Sequence, residues 1–445
     1  MAFFAPLLSR RLARPLAALA AAMFGFAVSV VPAAATRIQK VVSPSGIEAW
    51  LVEEHAVPMI AVDFAFKGGS SHDPAGREGL ANLLSSLLDE GAGDLPSQEF
   101  QTKLEDLAIE FAFHDDADRF NGAMKTLSEN RDEAFSLLAL ALQKPRFDGE
   151  AVERMRVQTI AALRSASKNP DKVASLLWGE TLYPGHPYGR PADGTEASVA
   201  AITVDEIRAA HGRIFTRDGL KIAVVGDIDA ATLAPLIDRV FAGLPEKGDL
   251  PAVGEVTPKA GVRAGKAMAV PQAVVRFGGP GLKRADPDFI AAYVMNHILG
   301  GGTFSSWLYA EVREKRGLAY SVASGLSPLV HTGTFVGHVG TAADKAEETL
   351  AVIVEQMARM RDVGPSAAEL AEAKAYLVGS YPLRFDTSDK IAASLLAIQV
   401  DELGIDYIDR RNGLIEAVTL DDVRRVAKRL FAEPPSVVVV GPEKK

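Results

Sequence analysis

Cysteine is absent from the 445 residues of this sequence. Its absence excludes disulfide bonds, thiolate metal sites, a cysteine nucleophile and a lipoprotein anchor. A basic stripe is also missing and the net charge is −9, so a nucleic-acid partner is not expected. Apolar residues at 48% and charged residues at 24% are typical of a folded globular chain, and the length suffices for two or more domains.

The amino terminus has three arginines, an uncharged run and three alanines in succession: Arg10, Arg11 and Arg14, then residues 15–31, then Ala33, Ala34 and Ala35. This order of a basic segment, an apolar segment and a small-residue cleavage site is typical of a secretory signal peptide. We therefore expect residues 1–35 to be removed and the mature chain to be periplasmic. An uncleaved anchor helix is the alternative, because the apolar run could just cross a bilayer.

The rest of the chain repeats itself once, in segments that occur in the same order in each half. The pairs are TVDEIRAAHGRIF (203–215) with TLDDVRRVAKRLF (419–431), KIAVVG (221–226) with SVVVVG (436–441), and DKVASLL (171–177) with DKIAASLL (389–396). The first pair predicts amphipathic helices with a threonine cap and acidic residues in the first turn. The second pair predicts buried strands that end in glycine. A constant offset of about 216 residues indicates a duplicated unit.

The sequence therefore predicts an α+β fold of two duplicated α/β lobes, each of about 200 residues. We place the first lobe at 36–245 and the second at 267–445, with a Gly- and Pro-rich linker at 246–266 between them. Strands near 47–53 and 59–67 are expected to form a hairpin. Further strands are predicted near 268–278 and 332–340, and helices near 76–90, 97–107, 128–142, 149–168, 286–299, 304–316 and 344–362.

The segment FKGGSSHDPAGREGLANLLSSLLDEG (66–91) has a Gly-Ser turn, an Asp-Pro-Ala-Gly turn and a Gly-Leu-Ala helix start. It resembles the region around the inverted zinc motif, H-x-x-E-H, of the pitrilysin/insulinase-type metallopeptidases. The resemblance covers nearly all of the mature chain and is to the processing-peptidase-like branch, whose chains are two-lobed half-clams. In that family two histidines one helical turn apart hold Zn²⁺, a glutamate beside them acts as base, and a glutamate from a distant helix completes the ligands.

The four positions that the resemblance assigns to zinc binding carry other residues in this chain. Asn82, Ser85 and Ser86 stand in the places of His, Glu and His, and Ala162 stands in the place of the distant glutamate. Asparagine and serine are poor zinc ligands and alanine is none. The eight histidines show no i,i+3 or i,i+4 spacing that would favour a different metal site. We therefore expect this chain to bind no metal of its own.

The segment ILGGGTFSSWLYAEVREKRGLAYSV (298–322) resembles the family's arginine–tyrosine segment. By position, the resemblance assigns substrate contacts to Arg313 and Tyr320: the guanidinium would hold the peptide, and the phenol would donate to the region of the scissile carbonyl. A solvated helix charge and a half-buried strand aromatic are the alternatives. A phosphate-binding loop at 300–302 is disfavoured, because neither GK[ST] nor a preceding strand is present.

Two further segments match the family less specifically. GHPYGRP (185–191) corresponds to a turn near the cleft, where we expect His186 to be packed structurally. Residues 110–116 stand where the family has an edge strand that binds peptide by backbone pairing, although an ordinary strand would have the same composition.

The resemblance implies a non-catalytic, substrate-positioning subunit of a heterodimeric periplasmic zinc metallopeptidase. The zinc would be carried by a partner chain of the same family, the substrates would be peptides, and no membrane span would remain after signal cleavage. Two alternatives are a purely structural subunit, like the peptidase-derived core proteins of respiratory complexes, and a stand-alone peptide-binding or chaperone-like protein. Whether the dimer would contain two different chains or two copies of this one is left open.

Overall fold

The computed structural model describes residues 37–443, and the predicted signal peptide lies outside them. The described strands are β1 (Gln39–Val42), β2 (Glu48–Glu53), β3 (Met59–Lys67), β4 (Gly91–Ala92), β5 (Leu95–Pro96), β6 (Glu110–Asp115), β7 (Arg119–Leu127), β8 (Lys221–Gly226), β9 (Arg263–Ala267), β10 (Gln272–Pro280), β11 (Ala319–Leu329), β12 (Thr332–Ala342) and β13 (Ser436–Gly441).

The described α-helices are α1 (Leu80–Ser85), α2 (Ser97–Asp106), α3 (Arg131–Gln143), α4 (Gly149–Ala166), α5 (Pro170–Leu182), α6 (Glu196–Ala201), α7 (Val204–Ile214), α8 (Ala230–Phe241), α9 (Phe289–Asn296), α10 (Ala346–Asp362), α11 (Ala367–Gly379), α12 (Ser388–Val400), α13 (Tyr407–Glu416) and α14 (Leu420–Leu430). Two π-helical segments, His297–Gly301 and Tyr309–Glu314, follow α9. Within residues 37–443, no helix has both the length and the apolar character needed to cross a membrane.

Two sheets share one strand order and one set of strand directions. The first sheet has the order β1-β2-β8-β3-β7-β6, and the second has the order β11-β12-β10-β13-β9. Read from its other end, the second sheet has the order β9-β13-β10-β12-β11. This order corresponds, strand by strand, to β2-β8-β3-β7-β6 of the first sheet. In each sheet the first of these neighbouring pairs is parallel and the next three are antiparallel. The predicted fold of two duplicated α/β lobes is confirmed.

The repeated helices α7 and α14 begin with the same cap. The hydroxyl of Thr203 accepts the N–H of Glu206, and that of Thr419 accepts the N–H of Asp422. The two acidic side chains accept in return from the threonine N–H groups, at 2.7 and 2.9 Å. Such reciprocal caps satisfy N–H groups that the helix itself cannot pair. The predicted threonine caps are therefore confirmed in both halves.

Each sheet has one face covered by a helix from the opposite half of the chain. Helix α5 of the first half packs on β10 and β13 of the second sheet, where Trp178 and Leu182 join Val438 and Val440 in one apolar cluster. Helix α12 of the second half packs on β3 and β8 of the first sheet, where its apolar side chains complete the matching cluster: Ala392, Leu395, Leu396 and Ile398 with Trp50, Ala61, Ala65 and Val225. The repeated segments 171–177 and 389–396 lie in these two exchanged helices.

The predicted hairpin of 47–53 with 59–67 is wrong in its pairing. Both segments are strands, β2 and β3, but β8 lies between them, parallel to β2 and antiparallel to β3. Strand β8 comes from far along the chain, and local alternation carries no information about a distant partner. Part of the predicted linker also belongs to a sheet, because β9 begins at Arg263.

The helix predicted near 76–90 is shorter at both ends, since α1 comprises Leu80–Ser85 alone. Its start is set by Gly79, which has φ = 89°, a left-handed conformation that favours glycine. Beyond Ser85 the chain continues in turns, and Gly91, with φ = 103°, lies in the short strand β4 instead of closing the helix. The leucine stripe predicted for this helix is still buried in the first core.

Asp63, on the face of β3 that α12 covers, makes the stability of this contact depend on pH. Burial raises the pKa of this carboxyl to about 7, and the charge of Asp389 on α12 adds to the increase. Because the folded-state pKa exceeds the ordinary value of 3.8, the folded chain holds the proton more tightly than the unfolded chain. The contribution of Asp63 to stability is therefore complete below about pH 4 and is lost as the pH rises towards 7.

We expect Asp63→Asn to stabilise the protein at pH 8 by roughly 2 kcal/mol, and to raise the melting temperature by about 2–4 °C, because the neutral amide avoids burial of a charge. At pH 4 the Asp63→Asn variant and the parent should have the same melting temperature. Thermal melts followed by circular dichroism at both pH values measure this. Asp218→Asn, a change at an exposed carboxylate that pairs with Lys67, is the matched control. A variant Asp63→Asn that is no more stable than the parent at pH 8 would contradict the account.

Candidate functional site

The start of α1 is held by a buried carboxylate. Asp73 is 7% exposed, and its two oxygens accept the backbone N–H groups of Gly79, Leu80 and Ala81 at 2.9–3.0 Å. Burial raises the pKa of Asp73 to about 7 against the opposing effect of these donors, and the nearby charge of Asp115 also raises it. A side chain at Gly79 would meet the carbonyl oxygen of Asp193 at 2.7 Å. The helix that carries the zinc motif in the family is thus retained here.

The three motif positions, Asn82 and Ser85 on α1 and Ser86 directly after it, use their polar groups within the fold. The hydroxyls of Ser85 and Ser86 donate to the carbonyl oxygens of Asn82 and Leu83, one turn earlier, each at 2.8 Å. The side-chain amide of Asn82 hydrogen-bonds to the carboxylate of Asp115 on β6. Ser85 is also buried, at 7% exposure. These hydrogen bonds do not point the three groups towards one common position where a metal ion could bind.

Asn82 and Ala162 line the same cleft, between α1 and α4. The cleft has a volume of about 430 Å³, and its other lining side chains come from α4, from α5 and from the loop after the 185–191 turn: Gln158, Thr159, Leu163, Ala166, Lys172 and Asp193. Two of the four sequence-predicted positions therefore lie together, whereas Ser85 and Ser86 are not among the residues that line it.

The residues at this cleft do not fit zinc. A protein zinc site needs three ligands from His, Cys, Asp or Glu at about 2.0–2.3 Å. Asp193 is the carboxylate that lines the cleft, and across residues 37–443 no group of three such side chains is arranged to hold a metal ion. Burial raises the pKa of the adjacent Asp115 to about 7, with a further contribution from the charge of Asp193, while the Asn82 hydrogen bond lowers it.

Several histidines have partners elsewhere in the fold. The contacts are His55 with Asp227, His72 with the N–H of Gly69, His186 with the carbonyl of Gly254, His211 with the carbonyl of Leu142, His297 with the ring of Tyr376, and His331 with Glu255. Burial lowers the pKa values of His72, His211 and His297. The lowered pKa favours the neutral form of these last three histidines, whereas the hydrogen bond to Asp227 raises the pKa of His55.

Arg313 and Tyr320 lie against each other on the surface of the second half. The guanidinium carbon of Arg313 is 4.4 Å from the ring centre of Tyr320 and 4.9 Å from that of Tyr309. Tyr320 is 80% exposed and lies at a bulge in β11, the edge strand of the second sheet. Stacking on an aromatic face restricts where a guanidinium can point. The pair therefore presents a phenol and a permanent positive charge to the exterior.

The arginine–tyrosine pair and the motif cleft do not share lining residues. Arg313 and Tyr320 are absent from the set of side chains around Asn82 and Ala162. The structure thus places Asn82 with Ala162 in one cleft and Arg313 against Tyr320 elsewhere, as two separate pairs.

Strand β6 is an edge strand of the first sheet. It pairs on one side with β7 over Glu110–Asp115, and it ends the strand order. Its last residue, Asp115, is the one that bonds to Asn82. An edge strand offers unpaired backbone N–H and C=O groups, so β6 can accept an extended peptide beside the motif cleft.

The 185–191 turn joins the two halves, a role that the sequence did not reveal. The hydroxyl of Tyr188 donates to Asp118 at 2.5 Å, and it accepts the N–H of His331 at 3.2 Å. The second oxygen of Asp118 accepts the N–H of Val330 at 2.9 Å. A tyrosine near a glycine-rich turn gives no local sign of such a partner, because Asp118 and Val330 lie 212 residues apart.

Comparison with known protein families agrees with this architecture. Residues 50–196 match the family model for insulinase (peptidase family M16), and residues 201–377 match the model for the peptidase M16 inactive domain. A protein of Helicobacter pylori named non-peptidase homolog YmxG is 29% identical over 341 residues, covering 75% of this chain and 78% of that protein. A protein of Streptomyces coelicolor named as an uncharacterized zinc protease is 30% identical over 308 residues, 66% of each chain.

Solved structures show the same fold. The crystal structure of a peptidase M16 inactive domain from Pseudomonas fluorescens has a TM-score of 0.85 and 29% identity, covering 92% of this chain and 99% of that one. A protease from Helicobacter pylori has a TM-score of 0.84 at 20% identity, covering 92% of this chain and all of that one. The duplicated fold and the matches of both halves to its family models place this chain in the insulinase family (peptidase M16).

Proposed function

We propose that this chain is the non-catalytic, substrate-positioning subunit of a heterodimeric zinc metallopeptidase, exported to the periplasm. The observation that carries the proposal is the contrast between two sites of one molecule. At the proposed motif positions the hydroxyls of Ser85 and Ser86 bond to carbonyl groups of the protein itself, while Tyr320, with Arg313 over its ring, is exposed. Hydrolysis would take place at the zinc of a partner chain of the same family.

The motif cleft supports the first half of this proposal. Hydrolysis by a zinc peptidase needs an ion that polarises the carbonyl and activates water. Asn82 and Ala162 provide an amide and a methyl group where the family has ligands, and the hydroxyl of Ser85 is bonded to a carbonyl of its own helix. The relative named non-peptidase homolog is consistent with a chain that does not cut peptides alone.

The arginine–tyrosine pair supports the second half. A tetrahedral intermediate is stabilised by donors that are already aimed at the developing oxyanion. The phenol of Tyr320 is 80% exposed, and the guanidinium stacked on its ring limits its motion. Because neither side chain lines the cleft of its own chain, the proposal assigns them to a zinc site on a facing subunit.

The edge strand β6 gives this subunit a way to hold a peptide. Backbone pairing along Glu110–Asp115 would bind an extended chain with little dependence on its sequence. The proposed substrates are therefore unfolded or short peptides. The proposal of export is based on the signal-like residues 1–35. The proposal of a heterodimer is based on assigning the zinc to one chain and the arginine–tyrosine pair to the other.

We expect Tyr320→Phe to lower the kcat of the assembled enzyme by about 100-fold or more, because it removes one preorganised donor. The assay is cleavage of a fluorogenic peptide by this chain mixed with an H-x-x-E-H family chain from the same source. Tyr376→Phe, at a tyrosine that is 61% exposed and stacks on His297, is the matched control and should leave kcat unchanged. Assembly is checked by size-exclusion chromatography.

Full activity of the Tyr320→Phe complex would show that the pair is dispensable, which is the behaviour of a purely structural subunit. Peptide binding by a homodimer that gains no activity from any zinc-bearing chain would instead support a peptide-trapping protein.

A quadruple change tests the assignment of the motif cleft. Asn82→His, Ser85→Glu, Ser86→His and Ala162→Glu together should give a chain that retains about one zinc per molecule, because the three ligands and the base would be restored. Metal content after dialysis is measured by mass spectrometry. The matched control omits Ala162→Glu and should retain much less zinc, since one ligand is then missing. A quadruple variant that folds and retains no zinc would mean that these are not the motif positions.

A further inference from the structure

A second cleft, here called the second-half pocket, occupies the place in the second half that the motif cleft occupies in the first. The motif cleft is lined by α1 and by Lys172 of the exchanged helix α5. The second-half pocket is lined by α9 and by Ser394 and Ile398 of the exchanged helix α12. Helix α1 follows β3 and α9 follows β10, and these two strands correspond in the duplicated sheets. The two clefts are therefore counterparts.

The second-half pocket is larger than the motif cleft and carries an excess of positive charge. Its volume is about 530 Å³, and its charged lining residues are Arg284, Arg384, Arg411 and Asp401. Asp401 forms an ion pair with Arg284 at 3.3 Å. Two guanidinium groups are thus left without a carboxylate among the residues that line the pocket. The rim residue Arg384 is exposed and has no ion pair within residues 37–443.

Arg411 is a buried cation whose charge is not neutralised. It is 5% exposed, and its Nη1 donates to the carbonyl of Leu377 at 3.1 Å and to Asn412 at 3.2 Å. Its guanidinium stacks 3.9 Å from the ring centre of Tyr381. In the described part of the chain, no carboxylate lies within ion-pair distance of it. A buried guanidinium cannot lose its proton, so an anion in the pocket would supply the missing compensation.

The remaining walls suit an apolar group attached to that anion. Phe289, Tyr293 and Tyr407 contribute aromatic rings, each with one face towards Arg284 or Arg411, and Leu326 on β11 contributes an aliphatic side chain. Strand β11 is the edge of its sheet, so backbone groups beside the pocket are free of a further strand. A Cβ atom placed on Gly325 would meet no atom within 4 Å, so this stretch of the wall is open.

We propose that the second-half pocket binds the carboxyl-terminal residue of a peptide, with the carboxylate at Arg411 and Arg384 and an apolar side chain against the aromatic wall. Guanidinium and carboxylate groups match in geometry and form strong charge-assisted hydrogen bonds. The edge of β11 pairs with the residues that precede the carboxyl terminus. Every residue of this site belongs to the lone chain, so the proposal does not depend on the proposed peptidase partnership.

The test is calorimetric titration of the purified full chain with four probes: N-acetyl-phenylalanine, its amide, N-acetyl-Ala-Ala-Phe and the amide of that tripeptide. The acids should bind about tenfold or more tightly than the amides, a difference of about 1.4 kcal/mol per factor of ten. The tripeptide acid should bind more tightly than N-acetyl-phenylalanine. This comparison tells whether the ligand is the terminus of a peptide or a free organic acid.

Arg411→Gln should weaken binding of the tripeptide acid by about tenfold or more and leave binding of the amide unchanged. Arg410→Gln is the matched control, because Arg410 pairs with Asp406 and does not line the pocket. Arg384→Gln, at an exposed position, should weaken binding of the tripeptide acid about threefold and keeps the test valid if Arg411→Gln fails to fold. Equal affinity for acid and amide, or an Arg384→Gln variant that binds the acid like the parent, would overturn the proposal.

Discussion

Neither sheet could keep both of its faces out of water without the helix that crosses from the other half. Helix α12 covers β3 and β8, and α5 covers β10 and β13. Each buried large apolar side chain contributes about 1.5–3 kcal/mol, so loss of either helix would expose a substantial apolar surface. Residues 38–443 accordingly form one compact unit, in which the exchanged helices join the two duplicated lobes. Tyr188 and Asp118 reinforce this connection at the 185–191 turn.

The exchanged helices also determine where ligands can be received. Each of them lines one of two clefts at corresponding places, so the duplication provides two counterparts on one scaffold. Their chemistry has diverged. The motif cleft presents Asn82 and Ala162 beside Asp193, whereas the second-half pocket presents Arg411 and aromatic walls. Neither cleft brings together three zinc ligands, and both are built on the fold of the insulinase family.

The sequence predicted the elements that depend on local pattern. The threonine caps of α7 and α14 and the buried terminal strands of both halves follow from residue types at fixed spacing, whereas the edge strand β6 was expected only from the family resemblance. It did not predict the insertion of β8 between β2 and β3, or the exchange of α5 and α12, because both depend on contacts between distant segments. The repeat of DKVASLL and DKIAASLL marked the exchanged helices without revealing which sheet each one covers.

The candidate site, too, could be predicted from the sequence only in part. The motif positions could be proposed because the flanking turns resemble the family's pattern, and Arg313 and Tyr320 because their segment does; both assignments stay predictions. The cluster of Arg284, Arg384 and Arg411 gave no signal, since its members come from the loop before α9, the segment before α12 and α13, which meet only in the folded chain. The length of α1 was overestimated because the leucine pattern continues past Ser85, where the chain forms turns whose leucines are also buried.

The central claim is that this polypeptide retains the fold of a zinc peptidase but has no zinc chemistry of its own. The most direct measurement combines metal analysis and peptide cleavage on one purified sample of the chain alone, saturated with zinc and then dialysed. The account predicts far less than one zinc per molecule and no cleavage above a zinc-free blank. Stoichiometric zinc together with peptide hydrolysis by the lone chain would contradict it.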